Sequence, residues 1–176
     1  MTKMNAQTQS ELNALIRALQ GVSDTAKKDT DRILREAAGP LRAAIAGRAP
    51  QSDAPHYRYS TPKIAGKLRA PKGAGVVRAT YQPGNLSRSF QVLTFRRARY
   101  AKFVGPRIDK QGGGRMPDGY YAHMVNFNTA NVDGSIRPGQ HFVEAGVAAG
   151  GGVALSLATR LMKQTIDSYA RQKGLT

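Results

Sequence analysis

Apolar residues recur at helical spacing along the start of the chain. Leu12, Leu15, Ile16, Leu19 and Val22 form one stripe. Ile33, Leu34, Ala37, Ala38, Leu41, Ala44 and Ile45 form another, leaving Lys27, Lys28, Asp31, Arg32 and Arg35 for solvent. The spacing predicts helix from Ser10 to about Gly47, in one or two pieces. Ser10 suits the N-cap. Gly21 to Asp24 is a candidate break, with Ser23 or Asp24 capping a second helix. Pro40 lies inside the pattern, removes one backbone bond and predicts a kink near Glu36. Gly47 is a candidate C-cap, and Ala49-Pro50 ends the helix.

The periodicity then fails. Residues 51–83 contain Pro55, Pro62, Pro71 and Pro83 with Gly66, Gly73 and Gly75, and few large apolar side chains. This composition predicts an extended basic arm, with a short hairpin from Val76 to Tyr81. Period-two alternation from Ser87 to Phe95 predicts a strand, and Tyr100 to Val104 a second one ended by Gly105-Pro106. Two strands do not hold alone, so helices or strands from the arm must complete the sheet. Ile108 to Asp118 is a Gly-rich basic loop.

Tyr120, Tyr121, Met124, Val125 and Phe127 follow at spacings of one, three and four, predicting a short helix with one apolar side. Asn128 to Gly134 is a run of turn residues. Pro138 predicts a helix restart, with Phe142 as its first large apolar residue, continuing through Val143, Val147, Leu155, Leu157, Leu161, Ile166 and Tyr169. The triplet Gly150-Gly151-Gly152 interrupts that pattern at roughly 1 kcal/mol per glycine. It marks a break, a joint, or a close approach of another backbone. The stretch from Gly119 to Phe142 thus reads as a docking corner between two helical ends.

At 176 residues the length is that of one domain. Within it, residues 1–50 are helical, residues 51–83 form a basic arm, and residues 84–176 hold the sheet, the corner and the C-terminal helix. The fold class expected is α+β. N-terminal helices and a long C-terminal helix pack on a small, mostly antiparallel sheet.

Charge changes the picture more than length does. The chain carries 27 Lys+Arg against 11 Asp+Glu, a formal charge of +16. Fourteen basic residues fall between His56 and Arg115, among them Arg58, Lys63, Lys67, Arg69, Lys72, Arg96, Arg97, Arg99, Lys110 and Arg115, against one acid, Asp109. Such a segment meets an anionic partner, either nucleic acid or an acidic protein surface. Tyr57, Tyr59 and Tyr81 lie in the same region and could stack on bases. No nucleic-acid recognition motif accompanies them.

Candidate chemistry is thin. There is no cysteine, which excludes disulfides and thiolate metal sites. His56, His123 and His141 are scattered and lack the spacing of helical metal ligands. His123 reads as a packing or interface residue. The carboxylates are unpaired in sequence, so a metal nuclease built on Asp109 or Asp118 is a minor alternative. The glycine clusters at Gly73 and Gly112 lack the phosphate-loop pattern. No catalytic group, metal or cofactor is expected. The polar N-terminus is unlike a signal peptide, and no apolar run approaches the roughly 20 residues of a bilayer span. A cytoplasm, or a particle assembled in one, is the expected place.

The order of features resembles the HK97-type tail-completion family of long-tailed phages. The resemblance rests on Ala49-Pro50 and on Gly84-Asn-Leu86-Ser-Arg-Ser89 entering a strand. It continues with Phe103-Val104-Gly105-Pro106, Tyr120-Tyr121-Ala122 with Val125-Asn126-Phe127-Asn128-Thr129, and Pro138 with Phe142. It spans most of the chain from about Leu12 to Tyr169. The family pattern has an acid where Asn126 stands and glycine where Asn128 stands. The resemblance implies a non-enzymatic virion protein that forms a ring, most often a hexamer, at the head–tail junction. Its partners there are neighbouring neck and tail proteins, with genomic DNA in the lumen. The subunit contacts expected at the corner are Tyr120, Tyr121, Phe127, Phe142 and His123. The alternative is a free, sequence-independent nucleic-acid-binding protein.

Overall fold

The computed structural model describes residues 6–59, 63–64, 68–69, 77–95, 98–108, 117–130 and 134–174. Two long helices frame it. Helix α1 (Ala6–Arg48) runs without the break expected at Gly21 to Asp24 and passes through Pro40. Strands β1 (His56–Tyr59), β2 (Lys63–Ile64), β3 (Leu68–Arg69) and β4 (Val77–Tyr81) come from the arm. They are followed by a five-residue helix α2 (Asn85–Ser89) and strands β5 (Phe90–Phe95) and β6 (Ala98–Pro106). The corner holds α3 (Ala122–Asn126), β7 (Thr129–Ala130) and β8 (Ile136–Arg137), and α4 (Phe142–Gln172) closes the order. The architecture is α+β, as expected. Among the described residues the strands, however, form four two-stranded antiparallel ribbons rather than one sheet.

The arm is therefore partly a β-ribbon. Strand β4 does not fold back on itself. It pairs with β1, Tyr81 opposite His56 and Ala79 opposite Arg58. The β5–β6 ribbon pairs Phe90 with Pro106 and Val92 with Val104 and packs on α1. Lys102 reaches from β6 to the Asp31 carboxylate on α1 and to Thr94 Oγ1 at 2.8 Å. Among the described residues it is helix α1, not a third strand, that packs on this ribbon. The expected strand start at Ser87 instead lies in the middle of α2, because Gly84 at φ 74° turns the chain into a helical turn first.

Helices α1 and α4 lie antiparallel. Gly146 faces Ile45, Gly150 faces Leu41 and Ala44, and Gly21 faces Tyr169. From Gly21 to Ile45 is 24 residues, or about 36 Å of shared length at 1.5 Å per residue. A Cβ on Gly146 would stand 2.6 Å from Ile45 Cα, and one on Gly150 2.7 Å from Ala44 Cβ. Gly146 and Gly150 let two backbones meet, the close approach that is one reading of the triplet, and α4 runs unbroken through residues 150–152. Tyr169 fills the space a side chain on Gly21 would need, which accounts for glycine in an unbroken α1.

The core sits where α1, α2, β5 and the corner converge. Ile45, Ala49, Leu86, Phe90, Ala122 and Phe142 are buried together, with Leu41, Val104, Tyr121, Val125 and Val143 around them. Phe90 and Phe142 meet edge to face, centroids 5.8 Å apart. Phe142 opens α4; the restart expected at Pro138 falls four residues early. Pro138 to His141 stays outside the helix, tied to the end of α3 by the Gln140 and His141 N–H groups donating to Val125 and Asn126 carbonyls, and His141 adopts φ 47°.

Candidate functional site

The corner is built on a buried carboxylate. Asp118 is fully buried. Its Oδ2 accepts from the Tyr81 hydroxyl at 2.7 Å and from Arg58 Nη1 at 3.4 Å, and its Oδ1 accepts from the Tyr120 N–H at 3.1 Å. Asn85 closes the other side: its Nδ2 donates to the Asp118 carbonyl at 2.6 Å, and its Oδ1 accepts the Asp118 N–H at 3.1 Å. Burial first, and the Asp118 hydrogen bond second, push the Tyr81 hydroxyl up to about 12, so it remains a donor. The arm ribbon (Arg58, Tyr81), α2 (Asn85) and the corner (Asp118, Tyr120) are thereby tied at one point.

Beside this knot lies a cleft of about 470 Å³. Its apolar surface comes from Leu86, Tyr120, Tyr121, Met124 and Val125, and its polar rim from Gln51, Ser52, Arg137 and Gln140. Asn85 Nδ2 donates to the Tyr121 hydroxyl at 3.2 Å. The Tyr121 proton has no acceptor among the described residues, and burial raises its pKa and keeps the proton on. His56 also lines the cleft, with its ring 4.9 Å from that of Tyr121 and edge-on to it. Its Nε2 is buried without a hydrogen-bond partner among the described residues, and burial pushes its pKa down. Among the described residues no carboxylate lines the cleft. Asp118 lies behind it, engaged by Tyr81 and Arg58.

The expected contact residues divide. Tyr120 and Tyr121 line the cleft. Phe127, 52% exposed, and His123 stand on the surface outside it. Phe142 is core, 3% exposed, and offers nothing to a partner. The predicted helix is shorter than its apolar pattern: Phe127 caps α3 in an extended conformation and so turns outward. Tyr81, read as a base-stacking residue, is 2% exposed and unavailable for stacking.

Of the expected basic surface, Lys67, Lys72, Arg96, Arg97, Lys110 and Arg115 lie outside the described residues. Lys63 and Arg69 sit opposite one another in the β2–β3 pair, and Arg99 lies on β6. Arg58 is turned inward: it pairs with Asp118 and stands 4.2 Å over the Tyr120 ring, so it does not point out at a partner. Among the described residues no group of three or more His, Asp or Glu could hold a metal. Asp118, the minor nuclease candidate, is enclosed by its own network.

A second surface is not legible from the sequence pattern. On α4, Val147, Gly151, Leu155, Ala158, Met162 and Ile166 recur at spacings of four, four, three, four and four. Val147 is 47%, Leu155 71% and Ile166 39% exposed, while the opposite side of the helix is packed on α1. The helix also contains an 18-residue window of mean hydropathy 1.4, of which 17% is buried, long and apolar enough by composition to cross a membrane. This corrects the expectation that no run approaches that length. Glycine and alanine make up much of the window, so it lacks the large side chains that mark an apolar run. Comparison with known proteins finds no matching family model, no similar curated protein and no similar solved structure.

Proposed function

We propose that this chain is a structural, non-enzymatic protein of a long-tailed bacteriophage virion. It closes into a ring at the head–tail junction as a tail-completion or neck component, a hexamer by analogy with the family it resembles. The observation that carries the reading is the uncovered apolar stripe of α4. A helix already packed on one side, with Leu155 71% exposed on another, is suited to a second helical surface. Lipid is the poorer cover. Helix α1 lies alongside α4 with Arg32, Arg35, Glu36 and Arg42 exposed, and a bilayer around the pair would draw those charges in at about 2.5–3.5 kcal/mol each. The net charge of +16 supports genomic DNA in the lumen and acidic neighbours above and below. The protein would then assemble in the host cytoplasm and reside in the virion.

Negative-stain imaging and native mass spectrometry of the purified chain test this. Closed rings, lost in Leu155→Glu while the fold survives, are the expected result. The charge of 27 Lys+Arg against 11 Asp+Glu favours a second reading, a free DNA-binding protein. A chain that is monomeric at every concentration and binds duplex DNA with a steep salt dependence would select it.

A further inference from the structure

We propose that the cleft between α2, α3 and the residues after α1 is a docking site for an acidic peptide segment of another protein, one that places a large apolar side chain beside a carboxylate. The inference goes beyond ring formation, which uses the exposed stripe of α4, none of whose residues lines the cleft. The cleft's volume of about 470 Å³ lies within the range of sites that enclose ligand groups, roughly 300–1,000 Å³. Its floor is apolar: Leu86 is buried, and Val125 and Tyr121 are half-buried. Its polar groups include donors and one cation beside the amides of Gln51 and Gln140. The Tyr121 hydroxyl has a proton to give, and Arg137 stands on the wall. Arg88 at the Gly84 rim is close enough to act electrostatically on Tyr121. His56 Nε2 is buried nearby with no partner among the described residues. A site that offers donors and positive charge around an apolar floor, with no carboxylate among its described lining residues, complements a carboxylate next to an apolar group.

Charge also chooses the source of the peptide. A second copy of this chain brings 27 Lys+Arg and 11 Asp+Glu, and Asp24, Asp29, Asp31 and Glu36 are already paired along its α1. A different, acidic protein is the occupant that fits. The apolar anchor gives affinity by leaving water, and the carboxylate gives orientation by meeting Tyr121 and Arg137.

Fluorescence anisotropy on the full chain tests this with a labelled peptide, Gly-Asp-Asp-Phe-Asp-Gly, and two controls. One control replaces Phe with Ala at unchanged charge; the other is a labelled DNA duplex. We expect saturable peptide binding, weakened about tenfold or more by the Ala control. Met124→Glu, a change at a 38%-exposed rim position, should weaken the peptide by a similar factor and leave duplex binding unchanged. Val153→Glu, at 57% exposure on α4 and outside the cleft, should change neither. Three results overturn the proposal: no saturable peptide binding, equal binding of the Ala control, or a peptide affinity indifferent to Met124→Glu. Each is read on the soluble chain whether or not rings form, so failure here and failure of the ring reading are separate outcomes.

Discussion

Two glycines of α4 should respond to the same substitution with opposite signs. At Gly146 a new Cβ would stand 2.6 Å from both Ile45 Cα and Ile45 Cγ1 and 3.0 Å from Ile45 N. Ordinary carbon contacts begin near about 3.5 Å, so α1 and α4 must part by about 1 Å. Two of the three obstructing atoms are backbone, which no rotamer change relieves. Overpacking of this kind costs about 1–3 kcal/mol, and the upper end applies here. Replacing glycine by alanine in a helix returns about 1 kcal/mol. Gly146→Ala should therefore destabilise by about 2 kcal/mol. At Gly152 nothing lies within 4 Å of the new Cβ, so Gly152→Ala should stabilise by about 1 kcal/mol. A difference of about 3 kcal/mol corresponds to a gap of roughly 6–12 °C in Tm for a chain of this size. Thermal and urea unfolding of both variants under monomeric conditions provide the comparison. If Gly152→Ala destabilises as much as Gly146→Ala, the glycines serve as a joint in α4 and the close-approach argument fails.

Further outcomes follow from the corner. Asp118→Ala removes the acceptor of Tyr81 and should cost about 3–5 kcal/mol in urea unfolding. Tyr81→Phe should cost about 1.5–3 kcal/mol, and the double variant less than the sum, because no buried hydroxyl is then left unpaired. His56 is held below its ordinary pKa by burial. The unfolded chain therefore binds the proton more readily, and stability present above pH 6.5 should fall as the pH drops through the folded pKa. His56→Phe should flatten that region of a stability-versus-pH curve; an unchanged curve would mean His56 is not desolvated. Leu155→Glu should abolish rings in negative-stain images while leaving the far-UV circular dichroism and Tm of the subunit within a few degrees of the parent.

Sequence periodicity located the two long helices by their apolar stripes and located β5 by its alternation, although Ser87 to Ser89 of that pattern belong to α2. It misplaced a break at Gly21 and left close approach at Gly150 as one of three alternatives, for one reason. Gly21 and Gly150 look like breaks to local propensity, but each faces a group on the other helix, Tyr169 and Ala44, more than a hundred residues away in sequence. The knot at Asp118 was hidden in the same way. Its partners Arg58, Tyr81 and Asn85 come from three earlier segments, and nothing periodic links them. Tyr120 and Tyr121 were legible as an aromatic pair, and both line the cleft. The cleft they line was not, since its other walls come from the end of α1 and from α2. Phe142 shows the limit of the aromatic signal: the same pattern marks a core residue and a surface anchor, and only the surrounding packing separates them.

Asn126 stands where the pattern the chain resembles has an acid, and its surroundings suit an amide. The side chain is 1% exposed. Its Nδ2 donates to both Glu144 carboxylate oxygens, at 3.1 and 2.9 Å, and its Oδ1 accepts the Val143 N–H at 2.9 Å. An amide can do both at once, giving protons to an acid and taking one from the first turn of α4. The acid expected from the resemblance could take the Val143 proton but would set a second carboxylate against Glu144. Hydrogen bonding from Asn126 holds the Glu144 pKa below its ordinary value, so the parent loses this contribution as the pH falls through that range. Asn126→Asp should reverse the slope. Two carboxylates in one place raise the pKa of the pair, and the variant, less stable than the parent at pH 7, should recover as acid protonates one of them. Glu144→Gln in the same chain should restore stability at neutral pH, because its amide can donate to the new carboxylate. Urea midpoints between pH 4 and 7 for the three proteins decide it. If Asn126→Asp matches the parent at neutral pH, Glu144 does not rest on residue 126, and the start of α4 is fixed by Phe142 packing alone.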